Sequence, residues 1–506
     1  MERPSWERPS LERIAFVATV AFAGTTFWFV PRLPMVDLPQ HAGQVAVWRD
    51  LLLGTSPWQS LVFLNYFTPY LVGYGLALLL SFVLPVSAAL KLLLMLAYLG
   101  FVVACVALRG RLGGDRRLDW LIVPGFFGYA YVWGFYTFLI AAPLGVLFIL
   151  LAHRYADRPT PALGVVLLLA EVALFFTHGL IFLFANAIGG LFLLLKVRPL
   201  ARLLPAVLPY VVAALLCLAY ALIRLRLEAD PVGEVLPLSW EWDLNRTSFL
   251  VYSLGAFDAD WMFIPLLLLM LAAPMVLGAR LNWHNPAALV PFLVTLVVAA
   301  FVPIDAMNTG AISMRFALFL LPFYALMFSA PGPAMPGALR QLWLPVLCWA
   351  FLVIHGERLL GFAREEAGFE EVLAATEPGH RALGLIFDPA SEATSNQRAY
   401  QHFPLWYQAE KRGFVDYNFA GNAPPVVRYR VDRLPAVAMR SPFNLAREFD
   451  WTRDDAALYR YFFVRSTAPL RPGYFPAGRC APVMLKSVGA WSLFENVNCH
   501  DGSRQR

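Results

Sequence analysis

The sequence predicts a polytopic α-helical membrane protein of about eleven spans, carrying a C-terminal extracytoplasmic α/β domain. Three observations predict it. Of 506 residues, 59% are hydrophobic and only 15% are charged, whereas soluble domains carry roughly 25% charged residues. Several apolar runs approach the length of about 20 residues that a helix needs to cross a bilayer. After Glu357 the composition turns to charged and turn residues, and no further spanning run follows. The net charge of +6 is spread through short loops, where basic residues orient spans, and it implies no nucleic-acid partner.

The elements follow in order. Met1–Arg13 carries charges of both signs, and Ile14–Val30 is the first span. It lacks a small-residue cleavage site, so it reads as a retained span rather than a signal peptide. A loop helix is expected over residues 38–53, with Pro39 in its first turn and Asp37 at the capping position. Residues 61–85 are apolar but hold Asn65, Pro69 and Gly73-Tyr74-Gly75, and read as an interfacial or re-entrant helix. That choice puts Arg109, Arg111, Arg116 and Arg117 on the same inner side as Arg3, Arg8 and Arg13. Arg154 with Arg158, Lys196 with Arg198 and Arg202, then Arg280 and Arg340 follow them there. A spanning 61–85 segment would move all the later clusters outside.

The remaining spans are then Ala88–Leu108, Trp120–Tyr131, Gly134–His153, Leu163–Phe176, Ile181–Leu195, Leu204–Ile223, Phe263–Leu277, Ala287–Phe301, Phe316–Phe328 and Leu342–His355. Residues 1–357 form the membrane domain and 358–506 the outer domain. Within the outer domain Ala382–Phe387, Pro425–Val431, Tyr459–Val464 and Trp491–Glu495 have strand patterning. Cys105, Cys217 and Cys348 sit in apolar runs as small hydrophobes. Cys480 and Cys499 are a candidate disulfide if their region is extracytoplasmic.

Under this topology the polar residues gather at one face. Asp37 and His41, four residues apart, share a side of the loop helix if it includes both. Tyr129, Tyr131, Trp133 and Tyr136 line the second outer turn, and His178 marks the third. Arg224 and Arg226 open the fourth ahead of an acidic run from Glu228 to Asp243. Asp258 and Asp260 precede a span, and Asp305, Asn308 and Arg315 occupy the fifth. Ionisable groups near membrane depth line cavities or pair with one another, so an outward-facing site is expected.

Each has a structural alternative. Asp37 can be a helix cap only, His178 a bond between helices, Asp305 and Arg315 a loop-holding ion pair, Arg224 and Arg226 snorkelling residues, and the tyrosines an aromatic belt. The His402-Phe-Pro-Leu-Trp406-Tyr407 segment serves either an acceptor contact or local packing. No phosphate loop, dinucleotide fingerprint or Gly-x-Ser-x-Gly elbow occurs. An enzyme built this way would draw its activated substrate from the lipid phase.

A single N-terminal span, an outer loop opening on an acidic residue, an interfacial helix before the second span and a C-terminal outer domain together resemble the GT-C glycosyltransferases. The resemblance is architectural and covers most of the chain. It implies a polyprenyl-phosphate-linked sugar donor and an envelope lipid, glycan or protein acceptor, with membrane lipids as surroundings. It also implies a bacterial-type inner or plasma membrane location, and places Asp37 at the reaction centre as general base. His41 would orient Asp37 or share its proton. Arg315 first, or Arg224, would offset the phosphate charge, with His178, Asp305, Asn308 and Tyr136 as further substrate contacts. Asp37-Leu38-Pro39-Gln40-His41 stands where some members carry Asp-x-Asp or Glu-x-Asp, which leaves a divalent metal open. The competing reading is a transporter or flippase of a lipid-linked or small-molecule substrate, although no repeated pair of broken spans is visible.

Overall fold

A computed structural model describes residues 11–227, 238–240, 246, 248–255, 262–306, 309–330, 337–421, 425–439, 443–475 and 481–496. Asn308, the Glu228–Asp243 acids, Asp258, Asp260, Cys480 and Cys499 lie outside them. Arg224 and Arg226 belong to the described helix Leu208–Leu227 through their backbone alone.

Four described helices are long and apolar enough to cross a membrane: Val86–Leu112, Tyr136–Asp157, Gly179–Lys196 and Trp343–Ala374. Shorter apolar helices lie over Leu71–Ser81, Pro161–Thr177, Leu208–Ile223, Pro286–Phe301 and Met314–Leu326. The first expected span is a helix over Leu11–Thr25 that tightens into a 3-10 turn, Thr26–Trp28. Several expected spans are not continuous helices: 263–277 is split into Phe263–Leu271 and Ala273–Val276, and 316–328 begins in the 3-10 turn Met314–Phe319. Residues 120–131 are cut into the 3-10 turn Arg116–Leu121 and the short helices Ile122–Gly125 and Tyr129–Trp133. Gly128 gives the reason, because its backbone presses on the carbonyls of Tyr252 and Ser253, where any side chain would collide.

The loop helix forms over Leu38–Leu52 with Pro39 in its first turn. The interfacial segment is shorter than expected. Residues 61–85 hold the strand Val62–Leu64 and then the helix Leu71–Ser81. The expected domain boundary at 357 falls inside the helix Trp343–Ala374, whose 32 residues span about 48 Å at 1.5 Å per residue. That exceeds the roughly 30 Å hydrocarbon layer, and one continuous helix carries the chain from the apolar helices into the C-terminal region.

The C-terminal sheet has five strands, in the order Phe414–Val415, Arg381–Ile386, Tyr461–Arg465, Trp491–Glu495, Val483–Val488. The first three run parallel, and the last two pair antiparallel. Alternation along the strands feeds two cores. Ala382, Ile386, Tyr461 and Phe463 face the main body, where Phe369 of the long helix meets Trp491 at 4.9 Å. Leu383, Leu385, Phe462 and Val464 face a second core with Phe449, Tyr459 and Tyr474. Arg381 and Asp416 close the sheet's edge with paired bonds of 2.8 and 2.7 Å.

The expected strand at 425–431 joins the first loop instead of this sheet. Val62–Leu64 pairs antiparallel with Val427–Tyr429. Gln44 extends that edge from the loop helix: its amide accepts the Val427 N–H at 2.8 Å and donates to the Val427 carbonyl at 3.1 Å. The helix Leu405–Lys411 lies across the loop helix, meeting it where Gly43 leaves room for Gln408. Loop and C-terminal region are thus one packed unit.

Candidate active site

The site begins with how Asp37 is held. Asp37 sits at the N-cap of the loop helix, but its side chain makes no capping bond. Its backbone N–H donates to the Trp133 carbonyl at 2.9 Å, and the Val36 N–H to Val132 at 3.2 Å. Gly134 makes this docking possible. It has φ +79°, and a Cβ there would lie 3.0 Å from the backbone nitrogens of Asp37 and Leu38, so the turn favours glycine on both conformation and space. The carboxylate is left aimed inward, with its side chain 15% exposed.

Burial raises the Asp37 carboxyl to about 7, against an opposing pull from Arg315. That arginine lies buried in the turn Met314–Phe319, its guanidinium 3.7 Å from the centre of the Phe135 ring. One of its nitrogens donates to the Gly310 carbonyl at 2.8 Å, while its Nε is buried without a partner. Asp305 is not its mate: no ion pair joins them among the described residues, and the Asp305 carboxylate accepts the Ala311 N–H at 3.1 Å. Two further expected residues, His178 and Tyr136, sit among aromatic rings nearby. The His178 ring packs on Tyr70 and Phe138 at 5.2 and 5.3 Å, and the Tyr136 ring on His41 at 5.5 Å. His178 Nε2 and the Tyr136 hydroxyl are both buried without partners.

His41 lies in the same shell but turns from Asp37. Its Nδ1 meets the Tyr74 hydroxyl at 2.7 Å, and its ring is boxed by Tyr74, Tyr136 and Phe419. Burial lowers it to about 3, with a backbone hydrogen bond to Gly134 opposing, so it is a neutral imidazole. The histidine nearest the carboxylate is His402, from the C-terminal region, with Nε2 3.6 Å from Asp37 Oδ1. Its Nδ1 lies 3.1 Å from the Gln40 amide nitrogen. Gln40 in turn accepts the Phe419 N–H at 2.8 Å. Burial lowers His402 to about 3 as well, with Arg398 adding to the effect. Its sequence distance of 362 residues from Gln40 explains why spacing alone gave no sign of it.

A largely buried carboxylate, a buried guanidinium and three unpartnered polar atoms therefore lie near the start of the loop helix. Unpaired buried donors and acceptors cost about 1–3 kcal/mol each, and they gain partners when a polar ligand enters. Among the described residues, no three His, Cys, Asp or Glu side chains converge to hold a metal ion.

The fold has a known counterpart. The chain is similar to a cryo-electron-microscopy structure of the arabinofuranosyltransferase AftD from Mycobacteria, in a mutant form, with a TM-score of 0.50 and 13% identity. The match covers 98% of this chain and 42% of that chain, so the present sequence spans under half the length of its neighbour. No protein-family model matches the chain, and no curated protein sequence does. The likeness is one of overall fold, at a distant level.

Proposed function

We propose that the chain is a membrane glycosyltransferase of GT-C type that moves a sugar from a polyprenyl-phosphate donor to an envelope lipid, glycan or protein acceptor. The observation that carries this reading is Asp37: a carboxylate at a helix cap that does no capping, buried and pushed up to about 7, with Arg315 in its shell. The likeness to an arabinofuranosyltransferase supports the same class.

In this reading Asp37 takes the proton of the acceptor hydroxyl as its oxygen bonds to the anomeric carbon. The anomeric C–O bond to phosphate breaks with inversion, and polyprenyl phosphate leaves. A base whose pKa lies near the working pH balances ionised fraction against basicity. Arg315 offsets the charge on the departing phosphate, for which its forked donors are suited. His178 and Tyr136 supply unpartnered polar atoms to the donor sugar or phosphate. Residues around Asp37 face the outside of the membrane, which makes the C-terminal region extracytoplasmic.

The test is mass spectrometry of envelope lipids and glycans from wild type, deletion and Asp37→Asn cells at matched protein level. Loss of one sugar from an envelope component in both mutants, with build-up of a polyprenyl-phosphate sugar, is the expected result and names the substrates. Unchanged glycans in all three would refute the transferase reading and turn attention to transport.

A further inference from the structure

We infer that His402 is a positioning residue for Asp37: it presents a fixed N–H to the carboxylate from the C-terminal region, so that the outer part of the chain completes the site.

The argument rests on which ring nitrogen carries the proton. Gln40 accepts the Phe419 backbone N–H with its amide oxygen at 2.8 Å, which fixes the orientation of the amide. Its NH2 group therefore faces His402, at 3.1 Å from Nδ1. An N–H on one side requires a lone pair on the other, so Nδ1 accepts. The neutral ring must then hold its hydrogen on Nε2, the atom 3.6 Å from Asp37 Oδ1. That separation is just beyond a hydrogen bond, and contacts of this kind tighten when substrate binds. The ring cannot swing away freely, because Tyr417 stacks on it at 6.0 Å with planes 8° apart. His402 is also buried.

Among the described residues no other His, Lys or Arg nitrogen approaches the Asp37 carboxylate as closely. On its own helix, His41 is committed to Tyr74. Tyr136 packs on His41 through its ring, and the Tyr129 ring lies tilted against Tyr252 at 4.7 Å. Arg315 holds the Gly310 carbonyl and the Phe135 ring face. His178 is capped onto the Leu180 N–H. Arg398 lies behind His402, over the Phe443 ring at 3.8 Å. A donor to the carboxylate favours its ionised form and orients its lone pairs, both of which a base needs.

This proposal rests on Asp37 being the base, and the experiment separates the two. Membranes from the deletion strain supply accumulated polyprenyl-phosphate sugar and native acceptor. Purified full-length protein is added, and release of polyprenyl phosphate is followed by mass spectrometry from pH 5 to 9. His402→Leu is expected to lower the maximal rate about 10- to 100-fold, leave the donor concentration dependence unchanged, and move the acidic limb of the profile to higher pH. His402→Gln, which restores an N–H, is expected to recover part of the rate and of the limb position. Gln40→Met, which frees the tautomer without touching His402, is expected to move the limb in the same direction. A His402→Leu protein that is folded and keeps the wild-type limb and rate overturns the proposal. If that variant does not fold, unmoved limbs in both His402→Gln and Gln40→Met overturn it instead. An active Asp37→Asn defeats the base reading itself, whereas an inactive Asp37→Asn beside an unaffected His402→Leu defeats the present inference alone.

Discussion

Asp37 is built to be unstable as an anion, and that instability has measurable consequences. Burial lifts its carboxyl from the ordinary 3.8 to about 7. Between those values the folded protein holds a proton that the unfolded chain has released. The associated stability is fully present below about 4 and is lost as pH rises through 7. Asp37→Asn removes this titration, so its melting temperature is expected to exceed wild type at pH 8 and to match it at pH 4. The same substitution should lower turnover by about 10²- to 10⁴-fold, the usual contribution of a general base. Thermal unfolding in detergent at the two pH values, beside the membrane assay, checks both. Equal melting at pH 8 would mean that the carboxylate is not strained by burial. For the wild-type rate, the sign follows from the base role: activity rises with pH, with a midpoint near 7, because only the ionised form accepts a proton.

At the scale of elements, the site depends on a turn pressed against a helix start. Gly134 is the contact, with φ +79° and Asp37 and Leu38 nitrogens where a Cβ would lie. Gly134→Ala is expected to cost about 1–3 kcal/mol, and to reduce activity more than stability because the displaced atoms are those that aim Asp37. Urea unfolding set against turnover distinguishes the two losses. This turn also shows what was legible in the sequence. Pro39 and Asp37 announced the loop helix, since helix starts are written in adjacent residues. The short apolar runs at Ala382–Phe387 and Tyr459–Val464 announced two strands of the C-terminal sheet. The 120–131 run read as a span because its composition is apolar, while the carbonyl contacts that break it at Gly128 are tertiary. Strand Val483–Val488 escaped notice because its sequence, Val-Met-Leu-Lys-Ser-Val, does not alternate and its residues are mostly exposed. Asp37, Arg315, His178 and Tyr136 were candidates from their chemistry and membrane depth. The partner of His41, Tyr74, was visible only as part of a glycine-tyrosine cluster, and the Asp37–His402 approach is created by folding alone.

At the scale of the molecule, the C-terminal region is held on the first loop by a buried charge. Arg32, which ends the approach to Asp37, places one nitrogen 2.8 Å from Glu366 on the long helix and meets Glu370 at 2.6 Å. Its Nε and remaining nitrogen grip Glu410, on the short helix that crosses the loop helix, at 2.9 and 2.7 Å. Its guanidinium also lies over the rings of Phe369 and Trp406. Three segments distant in sequence thus converge on one side chain. Arg32→Met leaves the Glu366 carboxylate buried without its cation, and breaking such a pair from one side costs about 3–5 kcal/mol. Replacing both ends, Arg32→Met with Glu366→Met, restores apolar packing and is expected to recover most of that loss. The two variants make different demands on function. If the junction only adds stability, the double variant should turn over like wild type. If it also fixes where the outer part sits, His402 shifts relative to Asp37, and the double variant should melt near wild type while showing the higher-pH acidic limb expected of His402→Leu. The second outcome follows from the geometry, because Glu410 lies only eight residues from His402 and the chain between them is the helix that Arg32 anchors.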